Sequence, residues 1–155
     1  MAVSNPATPD DFQRVLEIIP QQKPFRFIDE IVELNDQHIV TRYRYREDEY
    51  FYQGHFPGRP VTPGVIMIET MAQSAIVAQG LYILMLEGKD ASLYTTVFTE
   101  CEMEFSALVP PGSLVTIRGE KVYHRRNKLK ANASVELEDG TVAARGSLAG
   151  MGVQL

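Results

Sequence analysis

Hydrophobic residues recur along this chain with two different periods, and each period predicts a different kind of element. Between Asp10 and Pro20 the apolar side chains follow one another at helical spacing, which predicts a short amphipathic helix that ends at the proline. Residues 25–34 and 37–46 read as two strands around the polar pair Asn35-Asp36. In the second strand, period-two alternation places one set of side chains on a common face: Ile39, Thr41, Tyr43 and Tyr45.

The longest apolar stretch runs from Val65 to Leu86 and has about the length needed to cross a bilayer. Its composition argues against a membrane span, because polar side chains interrupt it and Lys and Arg are not distributed asymmetrically at its flanks. The interrupting residues are Glu69, Gln73, Ser74 and Gln79. The stretch is therefore predicted to be a buried helix of a soluble protein. Since it is apolar nearly all round, other elements must cover it on most sides.

The remainder of the chain supplies that cover as four further segments with strand character. They span residues 92–105, 114–125, 128–138 and 141–151, with turn sequences at Pro110-Pro111-Gly112, Arg126-Asn127 and Asp139-Gly140. The Asp-Gly pair predicts a two-residue hairpin. The order of elements predicts an α+β fold in which an antiparallel sheet curls around one long central helix, as a single domain over residues 1–155. Open sheet edges favour a dimer that joins two sheets edge to edge.

Composition narrows the classes of function. The 155 residues are 45% hydrophobic and 23% charged, as in ordinary soluble globular proteins. Twenty acidic residues against 15 Lys and Arg give a net charge of -5, the wrong sign for a general nucleic-acid binder. The one cysteine, Cys101, cannot form an intramolecular disulfide, and the start MAVSNPATPDDF lacks signal-peptide character, so a cytoplasmic location is expected. The histidines and Cys101 lack zinc-site spacing, and neither a metal nor another cofactor is predicted.

The segment GHFPGRPVTPGVIMIE, residues 54–69, carries the candidate chemistry. Thr62 and Pro63 read as the N-cap and first position of the long helix, which would leave the N–H of Gly64 free at the positive end of the helix dipole. Burial should raise the pKa of Glu69 and make it a general acid, while His55 has the side chain of a general base. Composition alone favours a plainer interpretation, in which the histidine lies at the surface and the glutamate is structural.

The stretch YFYQGHFPGRPVTPGVIMIETMAQ closely resembles the active-site segment of the β-hydroxyacyl-acyl-carrier-protein dehydratases of fatty-acid synthesis, which have the hot-dog fold. Weaker likeness extends to IPQQKPFRFIDEI and FSALVPPGS. The resemblance implies that His55 and Glu69 form a catalytic dyad drawn from opposite subunits, and that the Gly64 N–H holds the thioester carbonyl. It also implies that Gln73 orients the acid. The remaining residues assigned to substrate binding are Phe56, Pro57 and Val65.

The same resemblance raises the question of how a carrier protein docks. Residues 104–107 lack the basic side chains that the family commonly has there. Arg59 and the basic run with Arg125, Arg126 and Lys128 remain candidates for contact with an acidic carrier protein or with the phosphates of coenzyme A. A charge run of this kind is more often a solvated hairpin end.

The sequence therefore predicts a lyase that dehydrates a β-hydroxyacyl thioester, carried by acyl carrier protein or coenzyme A, to the trans-2-enoyl thioester. Glutamate at position 69 resembles the dehydratase branch, whereas relatives that also isomerise the double bond resemble an aspartate version. Two alternatives remain: a hot-dog acyl thioesterase in which Glu69 activates water, and a non-catalytic acyl-binding partner subunit. The predicted assembly is a homodimer, or a trimer of such dimers, without nucleic acid or membrane.

Overall fold

The computed structural model describes residues 5–154, which form two helices and six strands joined by short connections. Helix α1 spans Pro9–Ile18, and the strands are β1 Glu30–Leu34, β2 His38–Arg44, β3 Tyr94–Phe105, β4 Leu114–Arg125, β5 Lys128–Glu136 and β6 Val142–Gln154. The central helix, Gly64–Leu86, lies between β2 and β3 in the chain. It is α-helical at both ends and π-helical over Gln73–Ala78. Short 3₁₀ turns occupy Tyr50–Gln53 and Ala91–Leu93.

The six strands form one antiparallel sheet in the order β1-β2-β4-β5-β6-β3, so that β1 and β3 are its edges. The sheet packs around the central helix, which confirms the predicted hot-dog fold. By length and composition the helix is able to cross a bilayer, but 72% of its most apolar window is buried inside the fold. It is therefore a buried core helix of this fold, as predicted.

Two glycines allow the sheet to approach the middle of the central helix. A Cβ atom at Gly119 of β4 would lie 2.7 Å from the Cβ of Ala75. A Cβ atom at Gly150 of β6 would lie 2.8 Å from the Cγ2 of Ile76. Such distances are shorter than van der Waals contact, so a side chain at either glycine would push strand and helix apart.

Buried hydroxyl pairs also join β2 to the central helix. The Thr41 and Ser74 hydroxyl oxygens are 2.6 Å apart, and the Tyr45 hydroxyl lies 2.6 Å from that of Thr70. Burial confirms that the predicted face of β2 points inward: Ile39, Thr41, Tyr43 and Tyr45 are all buried. Tyr45 thus contributes apolar area to the core, while its hydroxyl keeps a hydrogen-bond partner, as a buried phenol requires.

The structure differs from the sequence prediction at one of the hairpin turns. The predicted two-residue turn at Asp139-Gly140 is wrong: the Leu137 N–H donates to the Thr141 carbonyl, which leaves a three-residue loop that Gly140 closes with a φ of +88°. The two-residue turn is at Arg126-Asn127, where both residues have positive φ, as a type I′ turn requires.

Element ends also shift. The first helix begins at Pro9, because Thr8 and Asp11 form a capping box, and it ends at Ile18, ahead of Pro20. The strand predicted to start at residue 25 starts at Glu30, since the main chain of Phe25 and Phe27 bonds to the side chain of Gln73 instead of to a neighbouring strand.

Candidate active site

His55 lies on a short loop that its own backbone hydrogen bonds close. The Val61 N–H donates to the His55 carbonyl at 2.9 Å, and Phe56 and Arg59 exchange two further backbone bonds of 3.3 and 2.9 Å. Gly58 turns the chain with a φ of +73°, a conformation that favours glycine. The His55-Phe56 peptide bond is cis. The loop therefore presents the histidine from a tightly hydrogen-bonded support.

The hydrogen bond of the His55 ring assigns its neutral tautomer. Nδ1 lies 2.9 Å from the carbonyl oxygen of Val61. Because a carbonyl only accepts, Nδ1 carries the proton in the neutral ring and donates it to Val61. Nε2 then keeps its lone pair, which is the state that a general base needs. The ring also stacks on Phe56, with 4.1 Å between centroids.

The start of the central helix differs from the sequence prediction. Thr62 is not the N-cap, because its hydroxyl pairs with that of Tyr52 at 2.6 Å. The helix begins at Gly64, and the N-cap, Pro63, offers no side-chain hydrogen bond. Within residues 5–154 the N–H groups of both Gly64 and Val65 therefore lack an acceptor, so the helix end has two free donors instead of the one predicted.

Glu69 is held by an amide whose own hydrogen bonds are complete. Gln73 is fully buried; its Oε1 accepts from the Phe27 N–H at 2.7 Å, and its Nε2 donates to the Phe25 carbonyl at 2.8 Å and to Glu69 Oε1 at 3.0 Å. Burial raises the pKa of Glu69, and the hydrogen bond from Gln73 opposes that rise without cancelling it. The carboxyl group is thereby oriented and biased towards its protonated form.

The Glu69 carboxyl opens into a small, mainly apolar cavity. Its other lining residues are Gln21, Ala72, Ile76, Val77, Thr96, Phe98 and Gly150. His55 is not in this lining, so a single chain does not bring the two predicted catalytic residues into one cavity. Gln21 was missed by the sequence reasoning, although it lies in the segment IPQQKPFRFIDEI that carried part of the resemblance. Its buried Oε1 has no hydrogen-bond partner among residues 5–154.

The basic residues predicted to contact a carrier fall into two separate groups. Arg59 is exposed on the His55 loop and borders an open groove with Phe56 and Leu108. Arg125, Arg126 and Lys128 lie instead at the β4–β5 hairpin. That hairpin borders Gly80 and Leu84 of the central helix, roughly 25 Å along the helix axis from Gly64.

Two of the positively charged side chains at the β4–β5 hairpin already contact neighbouring side chains. Lys128 Nζ is 2.8 Å from Glu100, and the Arg125 guanidinium lies 4.6 Å from the centre of the Tyr123 ring. Of the four predicted carrier contacts, Arg59 is thus the one that lies on the His55 loop.

No residues group into a metal-binding cluster in the part of the chain that the structure describes: residues 5–154 contain no set of three or more His, Cys, Asp or Glu side chains arranged to hold an ion. His38 bonds to Glu33 and Asn35, while Cys101 is exposed and unpaired on β3.

Comparison with known proteins places this site in a family. Residues 19–145 match the model of the FabA-like domain. A 3-hydroxyacyl-[acyl-carrier-protein] dehydratase FabZ from Acetivibrio thermocellus is 38% identical over 136 residues, 86% of this chain and 88% of the relative. The enzyme of that name from Ruminiclostridium cellulolyticum is 33% identical over 138 residues, 88% of this chain and 92% of the relative.

Solved structures show the same fold at low sequence identity. A chain of the dehydratase heterocomplex ApeI:P from Xenorhabdus doucetiae superposes with a TM-score of 0.74 at 17% identity, covering 91% of this chain and 90% of its own. A hypothetical thioesterase with coenzyme A from Streptococcus pneumoniae superposes with a TM-score of 0.57 at 13% identity, covering 95% of this chain and 98% of its own. On the strength of the family match and the FabZ relatives, the chain belongs to the FabA-like family of 3-hydroxyacyl-[acyl-carrier-protein] dehydratases.

Proposed function

We propose that this protein is a hydro-lyase that converts a β-hydroxyacyl thioester, carried on acyl carrier protein, to the trans-2-enoyl thioester in fatty-acid synthesis. The observation that carries the proposal is Glu69, a carboxyl group oriented by Gln73 at the edge of an apolar cavity that raises its pKa. A carboxyl group with a raised pKa keeps its proton to higher pH and is therefore better suited to protonating a leaving hydroxyl.

The thioester carbonyl is proposed to bind at the start of the central helix. There the free N–H of Gly64, with that of Val65 beside it, lies at the positive end of the helix dipole. As the α-proton leaves, negative charge develops on the carbonyl oxygen, and a donor of this kind is worth about 3 kcal/mol of transition-state stabilisation. Phe56 and Pro57, on the His55 loop, are proposed to flank the thioester.

The proton transfers balance without a cofactor. Nε2 of His55 takes the α-proton, and Glu69 gives its proton to the β-hydroxyl. The Cβ–O bond then breaks, water leaves, and the Cα–Cβ double bond forms. Histidine is left as an imidazolium and Glu69 as a carboxylate, and solvent returns the proton from one to the other.

We propose that the working unit is a homodimer in which each His55 meets the Glu69 of the second subunit. Two observations support this arrangement: His55 is absent from the lining of the Glu69 cavity, and the edge strand β3 exposes about half of Val97, Phe98 and Phe105. An exposed apolar edge of this length is a surface for pairing with another chain. Arg59 is proposed to receive an acidic carrier protein, and the cytoplasm is the proposed location.

The dyad is tested in the reverse reaction, the hydration of a trans-2-enoyl thioester. The rate is followed by the loss of absorbance as the conjugated double bond disappears. His55→Ala and Glu69→Gln are each expected to lower the rate by about 10²- to 10⁴-fold, as the removal of a general base or acid does. His38→Ala, which changes a histidine remote from the loop, is the matched control and should keep the wild-type rate. Near-normal turnover in either dyad variant would rule the mechanism out.

Subunit mixing tests whether the site is shared. Unfolding and refolding His55→Ala and Glu69→Gln together should restore part of the activity, because each hybrid dimer contains one site with both side chains intact. If such hybrids form and remain inactive, each site belongs to one subunit.

A thioesterase on the same fold would release thiol from a saturated acyl thioester. The proposed dehydratase has no β-hydroxyl to expel from that substrate, so a thiol-trapping assay should show no release. Binding of acyl thioesters with neither hydration nor hydrolysis would favour a non-catalytic acyl-binding subunit.

A further inference from the structure

The apolar cavity at Glu69 ends at a wall, and a second cavity lies behind it. The second cavity is lined by the C-terminal half of the central helix and the ends of β3–β6. Ile76, Thr96 and Gly150 line both cavities. These three residues therefore separate the cavity that contains the acid from the one beyond it.

Two methyl groups pack against the backbone of Gly150 and close the space between the two cavities. A Cβ atom at Gly150 would lie 2.8 Å from the Cγ2 of Ile76 and 2.8 Å from the Cγ2 of Thr96. Both methyl groups therefore converge on the same point above the glycine backbone. A hydrocarbon chain that reaches this point meets tightly packed side-chain atoms.

The order of residues along the central helix shows which wall residue is the obstacle. The cavity linings place Glu69, Ala72, Ile76 and Gly80 on the same side of the helix, although the π-helical stretch Gln73–Ala78 alters the usual α-helical spacing. The first three line the Glu69 cavity, and the last two line the cavity beyond. Of the two branched side chains that line the Glu69 cavity from this part of the helix, Ile76 and Val77, only Ile76 also lines the cavity beyond.

We propose that Ile76, packed against Thr96 over Gly150, sets the upper limit of acyl chain length. The inference rests on the proposed function for the identity of the ligand. With Glu69 acting at the β-carbon, the carbons beyond it run past Ala72 towards Ile76. Short chains end before the wall, and longer ones require Ile76 to move. The cavity beyond the wall is an apolar extension that the wild-type protein keeps closed.

The test measures hydration of straight-chain trans-2-enoyl thioesters from crotonyl to dodecenoyl in wild type, Ile76→Val and Ile76→Ala. We expect kcat/KM for long relative to short substrates to rise in the order wild type, Val, Ala, by about tenfold or more in Ile76→Ala, since methylene-sized changes in an apolar pocket produce selectivity of that size. Leu81→Ala is the matched control. Leu81 is as buried as Ile76, at 3% exposure, and lines only the second cavity, so its removal should leave the ratio unchanged.

Calorimetric affinities for saturated acyl thioesters of the same lengths supply a readout that does not need turnover. The preference of these affinities for long over short chains should rise in the same order of variants. This measurement tests whether Ile76 limits chain length even if the proposed dehydration fails. An unchanged length profile in folded Ile76→Val and Ile76→Ala would overturn the inference, as would an equal shift in Leu81→Ala. If Ile76→Ala does not fold, the ratio in Ile76→Val decides, because removal of a single methyl group is tolerated in most cores.

Discussion

At the scale of single residues, Glu69 shows how a proposed catalytic group conflicts with stability. Its carboxyl group faces an apolar cavity, and burial is the dominant cause of its raised pKa. The unfolded chain, in which a glutamate has an ordinary pKa of 4.5, releases this proton at lower pH than the folded protein does. Between those two pKa values the folded protein binds more protons, so its stability falls as pH rises.

Replacing Glu69 with Gln should therefore raise the melting temperature at neutral pH, while activity is lost. The stabilisation should shrink as pH falls and vanish below about pH 4.5, where the glutamate is protonated in both states. Thermal unfolding followed across this pH range measures the effect. Glu138→Gln, at an exposed carboxyl between β5 and β6, is the control. An equal change in melting temperature at acidic and neutral pH would show that the charge on Glu69 is not the cause.

At the scale of elements, the central helix is attached to β2 by polar contacts as well as by apolar packing. Thr41 and Ser74 are both fully buried and satisfy one another's hydroxyl groups. Removing one hydroxyl of such a buried pair lowers the stability of the fold, since the remaining hydroxyl loses its partner without regaining water.

We expect Ser74→Ala to lower the free energy of unfolding by about 1–3 kcal/mol. Thr41→Val in the same chain should recover part of that loss, with an interaction energy of roughly 0.5–3 kcal/mol in a double-mutant cycle. Urea unfolding of the wild type, the two single variants and the double variant provides the four free energies. Strictly additive losses would mean that the two hydroxyls stabilise the fold independently.

The elements also show where local pattern is sufficient. The β2 face follows from period-two alternation, because burial of one face imposes that pattern, and the central helix follows from the length of its apolar run. The start of the helix does not, since Thr62 had two available partners: a helical N–H, or the Tyr52 hydroxyl ten positions earlier in the chain. Local propensity predicts the first, and the folded position of Tyr52 selects the second.

At the scale of the whole molecule, the sheet edge at β3 is the surface proposed to join two subunits. Val97 on this strand is 47% exposed, and Val122 on β4, which β5 and β6 separate from β3 in the sheet, is 50% exposed. The two valines therefore provide a matched pair of substitutions, one at the proposed interface and one remote from it.

Val97→Glu should dissociate the dimer and abolish hydration, because a buried unpaired charge opposes association and each site needs both subunits. Val122→Glu should leave mass and activity unchanged. Sedimentation velocity at micromolar concentration, with the hydration assay, measures both. A monomeric wild type, or a Val97→Glu protein that remains dimeric, would contradict the proposed interface.

By itself the sequence determined the fold and the local chemistry: the period of its hydrophobic residues, the single helix that must be covered, and the contiguous segment from His55 to Glu69. These features depend on neighbours along the chain, or on one buried face, so they are visible before folding. Tertiary structure alone decided which distant groups meet. Gln21 reaches the cavity at Glu69, and Ile76 in the middle of the chain meets Gly150 near its end, because strand register and the path of the sheet around the helix bring them together.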